Sequence, residues 1–222
     1  MADEGDFGRR FVLDAPMLAR AAAGGYARAL DVGCGEGRFC RKLRSLDVAA
    51  VGIDPTPALI ERARALDRDG DYRIGRAEAL DFPDGSFDLV VSYLMLIDIP
   101  DLIAAIAEMT RVLRPGGALL IANLNSFTTA AQPDGWTRDA DGKLQFRIDN
   151  YMDERADWVS WRGIHIRNWH RPLSTYMSLL IDSGLQLRHF SEPLPQGGDP
   201  ETVARYRRAP WFLIMEWSKP GG

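Results

Sequence analysis

The segment "LDVGCGEGRF", Leu30–Phe39, combines an acid with three glycines at alternate positions. Asp31 stands two residues before Gly33, and Gly35 and Gly37 follow. Glycines this closely spaced disturb a strand or a helix, but they let the backbone approach a ligand closely. An acid beside such a turn repels a pyrophosphate and attracts an ammonium group. The segment therefore predicts a turn that binds a ligand carrying a cationic group.

A second acid, Asp54, closes the apolar run "VAAVGID". A carboxylate at the end of a strand can take both hydroxyls of a ribose, and each hydrogen bond to a charged group contributes roughly 1.5–3 kcal/mol. In doubly wound sheets, ligands lie outside the carboxyl ends of the strands. The glycine turn and Asp54 therefore predict a nucleoside that bears an amino acid.

The elements that position these residues alternate between apolar runs and helical periodicity from residue 26 to 125. Continuous apolar strands separated by helices favour a parallel sheet covered on both faces. After Asn125 the pattern breaks into an aromatic and polar stretch without a clear helix, parts of which alternate as a hairpin does. We expect a single domain over residues 1–222, with a substrate-covering insertion at about 126–172.

Composition excludes several classes of function. The chain has 222 residues, a net charge of −4 and two cysteines, Cys34 and Cys40. This charge disfavours a nucleic-acid partner, and two cysteines without a second cluster predict no metal site. The acidic start and the lack of a long apolar run predict no membrane span and a cytoplasmic protein. The oligomeric state is left open.

Four segments in register carry a resemblance to a known family: "LDVGCGEGRF", "GIDPT", "AEALDFPDGSFDLVVS" and "LRPGGALLIA". Their order and separation over Arg9–Asn125 resemble the class I S-adenosylmethionine-dependent methyltransferases. The small-molecule branch is most similar, namely the methyltransferase type 11 and quinone-biosynthesis C-methyltransferase group. The resemblance implies an α/β, Rossmann-like doubly wound sheet of about seven strands, mostly parallel with an antiparallel last strand, and helices on both faces.

The resemblance also implies roles for individual residues toward S-adenosylmethionine, whose product is S-adenosylhomocysteine. The methionine part would be held by Asp31 and by the turn residues Gly33, Cys34, Gly35 and Gly37, and its carboxylate by Arg10. The ribose would be held by Asp54, and the adenine by Pro55, Ala77 and Glu78. The sulfonium would be held by Ser92 and Tyr93. The implied reaction is in-line transfer of the methyl group to O, N or C of a small aromatic or apolar acceptor.

Candidates for acceptor chemistry lie at the end of the insertion. His170, in "NWHRP", is predicted to position or deprotonate the acceptor, against the alternative of a hydrogen bond at a helix entry. Tyr93 is the second catalytic candidate. His165 and His189 are interpreted as structural. Aromatic rings of the insertion are predicted to wall the acceptor pocket, namely Trp136, Tyr151 and Trp169, with Trp158 and Trp161 as further members.

Two other functions remain open. A nicotinamide oxidoreductase shares this sheet, but its G-x-G-x-x-G motif requires glycine where this chain has Arg38. A protein that binds the cofactor without turnover would keep both Asp31 and Asp54. Binding of S-adenosylhomocysteine or NADH separates the two cofactors, and turnover separates an enzyme from a binding protein.

Overall fold

The computed structural model describes residues 5–131, 135–161 and 164–221, without the side chains at positions 161, 164 and 165. The helical elements are a π-helical turn (Arg9–Leu13), α1 (Asp14–Ala23), α2 (Arg38–Arg44), α3 (Pro57–Leu66), α4 (Leu102–Val112), α5 (Ser126–Ala130), α6 (Leu173–Asp182) and α7 (Pro200–Tyr206). The strands are β1 (Arg28–Val32), β2 (Ala49–Asp54), β3 (Asp71–Ile74), β4 (Phe87–Tyr93), β5 (Leu113–Leu124), β6 (Trp136–Arg138), β7 (Leu144–Phe146), β8 (Arg155–Trp161), β9 (Ile164–His170), β10 (Gln186–Ser191) and β11 (Phe212–Ser218).

Seven of these strands form the main sheet in the order β10-β11-β5-β4-β1-β2-β3. β1 pairs in parallel with both β2 and β4, whereas β11 runs antiparallel to its neighbours β5 and β10. The predicted fold class, a doubly wound sheet with an antiparallel last strand, is confirmed. Because β1, β2 and β4 run in the same direction, their carboxyl ends meet at one edge of the sheet.

Apolar side chains cover the sheet on both faces. Every residue of β4 is buried, in agreement with its mainly apolar sequence. One face packs against α4 and α6 through residues such as Ile106 and Leu180. The other packs against α1, α2 and α3 through Met17, Leu43 and Ile60. The sheet is therefore a rigid support for the edge where the strands end.

The stretch after β5 differs in part from its prediction. It does contain a helix, α5, whose first turn is capped because the Asn125 side chain accepts a hydrogen bond from the Phe127 N–H at 3.0 Å. The expectation of no helix is wrong since the short polar sequence "SFTTA" gives no helical periodicity. The hairpin prediction is confirmed by two antiparallel pairs, β6 with β7 and β8 with β9. The π-helical turn and α7 have no counterpart in the predicted elements.

A backbone contact attaches the β8–β9 hairpin to the sheet. The Trp169 N–H donates to the Ile97 carbonyl at 2.6 Å, in the segment that follows β4. Next along the chain, the Arg171 guanidinium donates to the carbonyls of Leu96, Ile99 and Pro100 at 3.3, 2.7 and 3.1 Å. The hairpin is therefore held against the carboxyl end of β4.

Candidate functional site

One cavity of about 990 Å³ lies at the carboxyl ends of β1, β2 and β4, beneath the hairpins. This volume is at the upper end of the range of about 300–1,000 Å³ that small-molecule sites occupy. Among the predicted site residues, the cavity brings together Gly33, Gly35, Asp54, Pro55, Ala77, Glu78, Tyr93 and Trp136. The remaining predicted residues whose side chains the structure describes lie off its wall, for reasons specific to each.

The three glycines of the turn lack side chains for different reasons. Gly35 has a φ of 56°, and a Cβ there would meet no atom within 4 Å, so this position opens toward the cavity. A Cβ on Gly33 would lie 2.4 Å from the Met95 side chain, and one on Gly37 would lie 2.4 Å from the Tyr72 ring. The missing side chain of Gly37 therefore makes room for the Tyr72 ring, and its predicted ligand contact stays a prediction.

Asp54 joins the glycine turn to the start of α3. Its Oδ2 accepts a hydrogen bond from the Gly35 N–H at 3.0 Å, and its Oδ1 accepts one from the Thr56 N–H at 2.9 Å. Each carboxylate oxygen has further acceptor capacity, and Asp54 faces the cavity. The geometry suits a ligand with two neighbouring hydroxyl groups.

Asp31 lies behind the turn and not on the cavity wall. It is 1% exposed; its Oδ2 accepts a weak hydrogen bond from the Cys40 thiol at 3.3 Å, and its Oδ1 has no partner within the described residues. Burial raises the pKa of Asp31 to about 7, and the nearby Asp54 adds to this rise. Cys34 is also buried and off the wall. A cation bound on the cavity side of the turn would stabilise the ionised form of Asp31 on the other side.

The end of β4 supplies a wall but no free hydroxyl. Ser92 is fully buried and off the cavity wall, whereas Tyr93 lines it. The Tyr93 hydroxyl donates to Asp14 Oδ1 at 2.9 Å, and burial beside that carboxylate raises its pKa. The Tyr93 hydroxyl is bound to Asp14, which also pairs with Arg38, so the contact disfavours the predicted catalytic role, which stays a prediction.

Arg9, and not Arg10, reaches the cavity. Arg9 lines it and donates to Asp6 Oδ2 at 2.6 Å. Arg10 is exposed on the outer surface with its guanidinium 5.0 Å from the Phe11 ring centroid. Successive residues of a helical turn point in different directions, so a shift of one position in this π-helical turn changes the side chain that faces the ligand.

His170 has a structural environment. The ring is 1% exposed, with Nδ1 2.7 Å from Thr129 Oγ1 and Nε2 2.9 Å from the Tyr151 carbonyl oxygen. It lies off the cavity wall and joins α5 to the segment before β8. Both nitrogens are bound within the protein, which disfavours the predicted role of His170 as a base, and that role stays a prediction.

The other aromatic candidates divide similarly. Tyr151 and Trp169 lie off the wall, the first accepting a hydrogen bond from the Leu173 N–H at 3.1 Å and the second lying between Arg167 and Arg171. Trp158 is 64% exposed on β8. The side chains of Trp161 and His165 lie outside the described residues. Of the predicted aromatic walls, Trp136 is the one placed at the cavity.

The environment of His170 leads to a pH-dependent prediction. Burial lowers the pKa of His170 below its usual 6.5, so below that pH the unfolded chain binds a proton that the folded chain rejects. The free energy of unfolding should therefore fall as pH decreases from 6.5 toward the folded pKa. In His170→Gln this contribution should vanish, which denaturant titrations of both proteins between pH 5 and 7 would show as converging stabilities at low pH. Parallel curves for the two proteins would contradict it.

Two residues of the cavity wall were not predicted from the sequence. Asp98 follows β4 and Asn168 lies on β9, and both line the cavity. Leu94 directly follows β4 and precedes Asp98. Its φ of 58° is a left-handed conformation that is unfavourable for leucine, and it turns the chain across the cavity. The position of Asp98 after a strand end was an available signal, whereas no pattern indicated the direction of the Asn168 side chain.

Comparisons with known proteins agree with the site. Residues 30–121 match the family described as "Methyltransferase domain". Malonyl-[acyl-carrier protein] O-methyltransferase of Serratia marcescens is 34% identical over 114 residues, 51% of this chain and 44% of that protein. Ubiquinone biosynthesis O-methyltransferase of Xanthomonas campestris is 38% identical over 114 residues, 49% of this chain and 47% of that protein. The match thus spans under half the length of these relatives.

A solved structure extends the likeness beyond the matched segment. An S-adenosylmethionine-dependent methyltransferase from Mesorhizobium loti is 29% identical, with a TM-score of 0.81 over 91% of this chain and 96% of that chain. The fold is similar to that of this S-adenosylmethionine-dependent methyltransferase, and the predicted resemblance to the class is confirmed. Residues 30–121, which include the glycine turn and Asp54, are the part of this chain that matches the methyltransferase family.

Two absences apply to the residues that the structure describes. No group of three or more His, Cys, Asp or Glu among them is arranged to hold a metal ion. None of their helices combines the length and the apolar character needed to cross a bilayer.

Proposed function

We propose that this protein transfers the methyl group of S-adenosylmethionine to a small acceptor by in-line displacement. The observation that carries the proposal is a continuous cavity that joins the glycine turn and Asp54 to a wall of apolar and aromatic side chains. The sulfonium supplies an electrophilic methyl group. The protein must hold the accepting atom at about 3–3.5 Å from that carbon and exclude water.

The residues present suit this cofactor. The open side of Gly35 admits the amino-acid part, and the unpartnered Oδ1 of Asp31 lies directly behind the turn. Asp54 can accept both ribose hydroxyls. Ala77 and Glu78 line the cavity beyond Asp54, where the adenine edge would lie, although Arg76 also pairs with Glu78 at 3.4 Å.

The other half of the cavity suits a flat, apolar acceptor. Trp136 and Phe146 pack together with ring centroids 5.0 Å apart, and Tyr206 stacks on Trp211 at 4.9 Å. All four line the cavity. Both curated relatives are named as O-methyltransferases, which favours oxygen as the accepting atom.

The alternatives are less well supported. A dinucleotide needs room for its pyrophosphate beside the third position of the glycine motif, where Arg38 pairs with Asp14. A protein that binds the cofactor without turnover would have no function for the acceptor half of the cavity. The two cysteines are buried and unpaired, and we retain the reducing cytoplasm as the proposed location.

Binding and transfer together test the function. Titration should show binding of S-adenosylhomocysteine and none of NADH. Radiolabelled methyl transfer is then measured over a panel of phenols, anilines and activated-carbon acceptors. Binding of NADH alone would establish the oxidoreductase alternative, and cofactor binding with no transfer over the panel would favour the binding protein.

A further inference from the structure

Two polar residues line the cavity where the β8–β9 hairpin meets the segment after β4. The hydrogen bond from the Trp169 N–H to the Ile97 carbonyl, at 2.6 Å, joins the peptide unit that precedes Asp98 to the one that follows Asn168. Asp98 and Asn168 are therefore neighbours across one backbone contact. Both line the cavity, whose surrounding wall from β5 and the hairpins is mainly apolar.

Asn168 presents a polar atom that lacks a partner. The residue is 3% exposed, and its Oδ1 makes no hydrogen bond within the described part of the chain. Leaving a buried acceptor unsatisfied costs about 1–3 kcal/mol. A hydrogen-bond donor on a bound ligand would remove this cost, which marks the place where the polar part of the acceptor binds.

Asp98 is a carboxyl group without a fixed partner. Its side chain makes no hydrogen bond or ion pair with the residues described by the structure. The charged groups that face it are Arg9 from the π-helical turn and Asp54 from β2, while Asp6 and Arg167 line the same cavity. Asp98 is exposed at the cavity surface, and partial desolvation inside the cavity raises its pKa to about 7, with Arg9 opposing the rise and Asp54 adding to it. A base with a pKa near neutrality is suited to proton transfer.

We propose that Asp98 is the general base of this methyltransferase and that Asn168 orients the accepting group. The acceptor receives the methyl group on the oxygen of an O–H group or the nitrogen of an N–H group. The inference rests on the proposed function. A lone pair of the acceptor atom forms the new bond to the methyl carbon, and the carbon–sulfur bond breaks with its electron pair on sulfur. The acceptor proton passes to a carboxylate oxygen of Asp98, and no oxidant or reductant is needed.

The charge of the cofactor provides a test that needs no acceptor. S-adenosylmethionine carries a sulfonium cation, whereas S-adenosylhomocysteine carries a neutral thioether. A nearby cation stabilises an ionised carboxylate, so the methyl donor should release a proton from Asp98 and the product should not. Both ligands carry the same ammonium group, so proton release from Asp31 is common to the two titrations.

The experiment is calorimetric titration at pH 7 in two buffers that differ in ionisation enthalpy. We expect the wild type to release more protons with S-adenosylmethionine than with S-adenosylhomocysteine, and Asp98→Asn to abolish this difference at unchanged affinity for the product. Asp81→Asn, which replaces an exposed acid, is the matched control and should behave as the wild type. With a phenolic acceptor from the panel, Asp98→Asn should lower kcat about 10²–10⁴-fold, and Asn168→Leu should raise KM.

Three results would overturn the inference. The proton difference could persist in Asp98→Asn, kcat could be unchanged in that variant, or the variant could lose affinity for both ligands equally, which would make Asp98 a ligand of the amino-acid part. Failure of the wild type to bind either ligand would instead contradict the proposed function, and the inference would fall with it.

Discussion

Replacing Asp54 by alanine is expected to weaken binding of S-adenosylhomocysteine by about 100-fold or more. The carboxylate is the acceptor proposed for both ribose hydroxyls, and hydrogen bonds to a charged group contribute about 1.5–3 kcal/mol each. The substitution also frees the N–H groups of Gly35 and Thr56, which Asp54 holds at 3.0 and 2.9 Å. Isothermal titration measures the affinity directly.

Two further variants separate binding from folding. Asp54→Asn keeps the size of the side chain and one carbonyl oxygen, so its stability should stay near that of the wild type while its affinity falls. Asp69→Ala removes an exposed acid after α3 and should alter neither property. A loss of affinity of less than about threefold in Asp54→Ala would exclude the ribose contact. Such a loss corresponds to under half of the 1.4 kcal/mol that a tenfold change in affinity requires.

The second large effect is expected at Arg171, where substitution by methionine should lower the free energy of unfolding by about 3 kcal/mol. The guanidinium is 3% exposed and donates to the carbonyls of Leu96, Ile99 and Pro100. Methionine retains much of the apolar stem but leaves these acceptors unsatisfied. Denaturant unfolding followed by tryptophan fluorescence measures the change.

Arg167→Met is the matched control. Arg167 and Arg171 contact the same Trp169 ring, at 5.3 and 4.7 Å, but Arg167 is exposed. Loss of the cation–π contact alone should change stability by about 0.5–1 kcal/mol. Similar losses in the two variants would show that the ring contact matters and the buried carbonyl contacts do not.

The cofactor half of the site was largely predictable from the sequence. Its residues follow directly on buried strands whose apolar runs are unambiguous, so Gly35 and Asp54 could be assigned to one edge of the sheet. Burial by neighbouring packing was not predictable. The role of Gly37 depends on the Tyr72 ring, which comes from a strand later in the chain.

The acceptor half was mostly not predictable, because it depends on long-range backbone contacts. His170 was predicted as a site residue because it is ionisable and lies in the motif "NWHRP". In the structure the neighbouring Arg171 attaches this segment to the Ile99 carbonyl, and Asn168 faces the cavity. Which residue of the alternating strand faces inward is fixed by the bond between Trp169 and Ile97, a contact that local spacing does not encode. The helix α5 was hidden for a related reason, since small polar residues buried by tertiary contacts leave no amphipathic pattern.

The attachment of the β8–β9 hairpin has an evolutionary consequence. The segment matched by the family ends at residue 121, ahead of both hairpins. The hairpin reaches the segment after β4 through backbone carbonyls, which any sequence there would offer to Trp169 and Arg171. Such a contact allows the hairpin to vary in sequence without changing residues 30–121, which include the proposed donor site. The architecture is modular, so exchange of the hairpins between relatives offers a route to new acceptors on an unaltered donor-binding half.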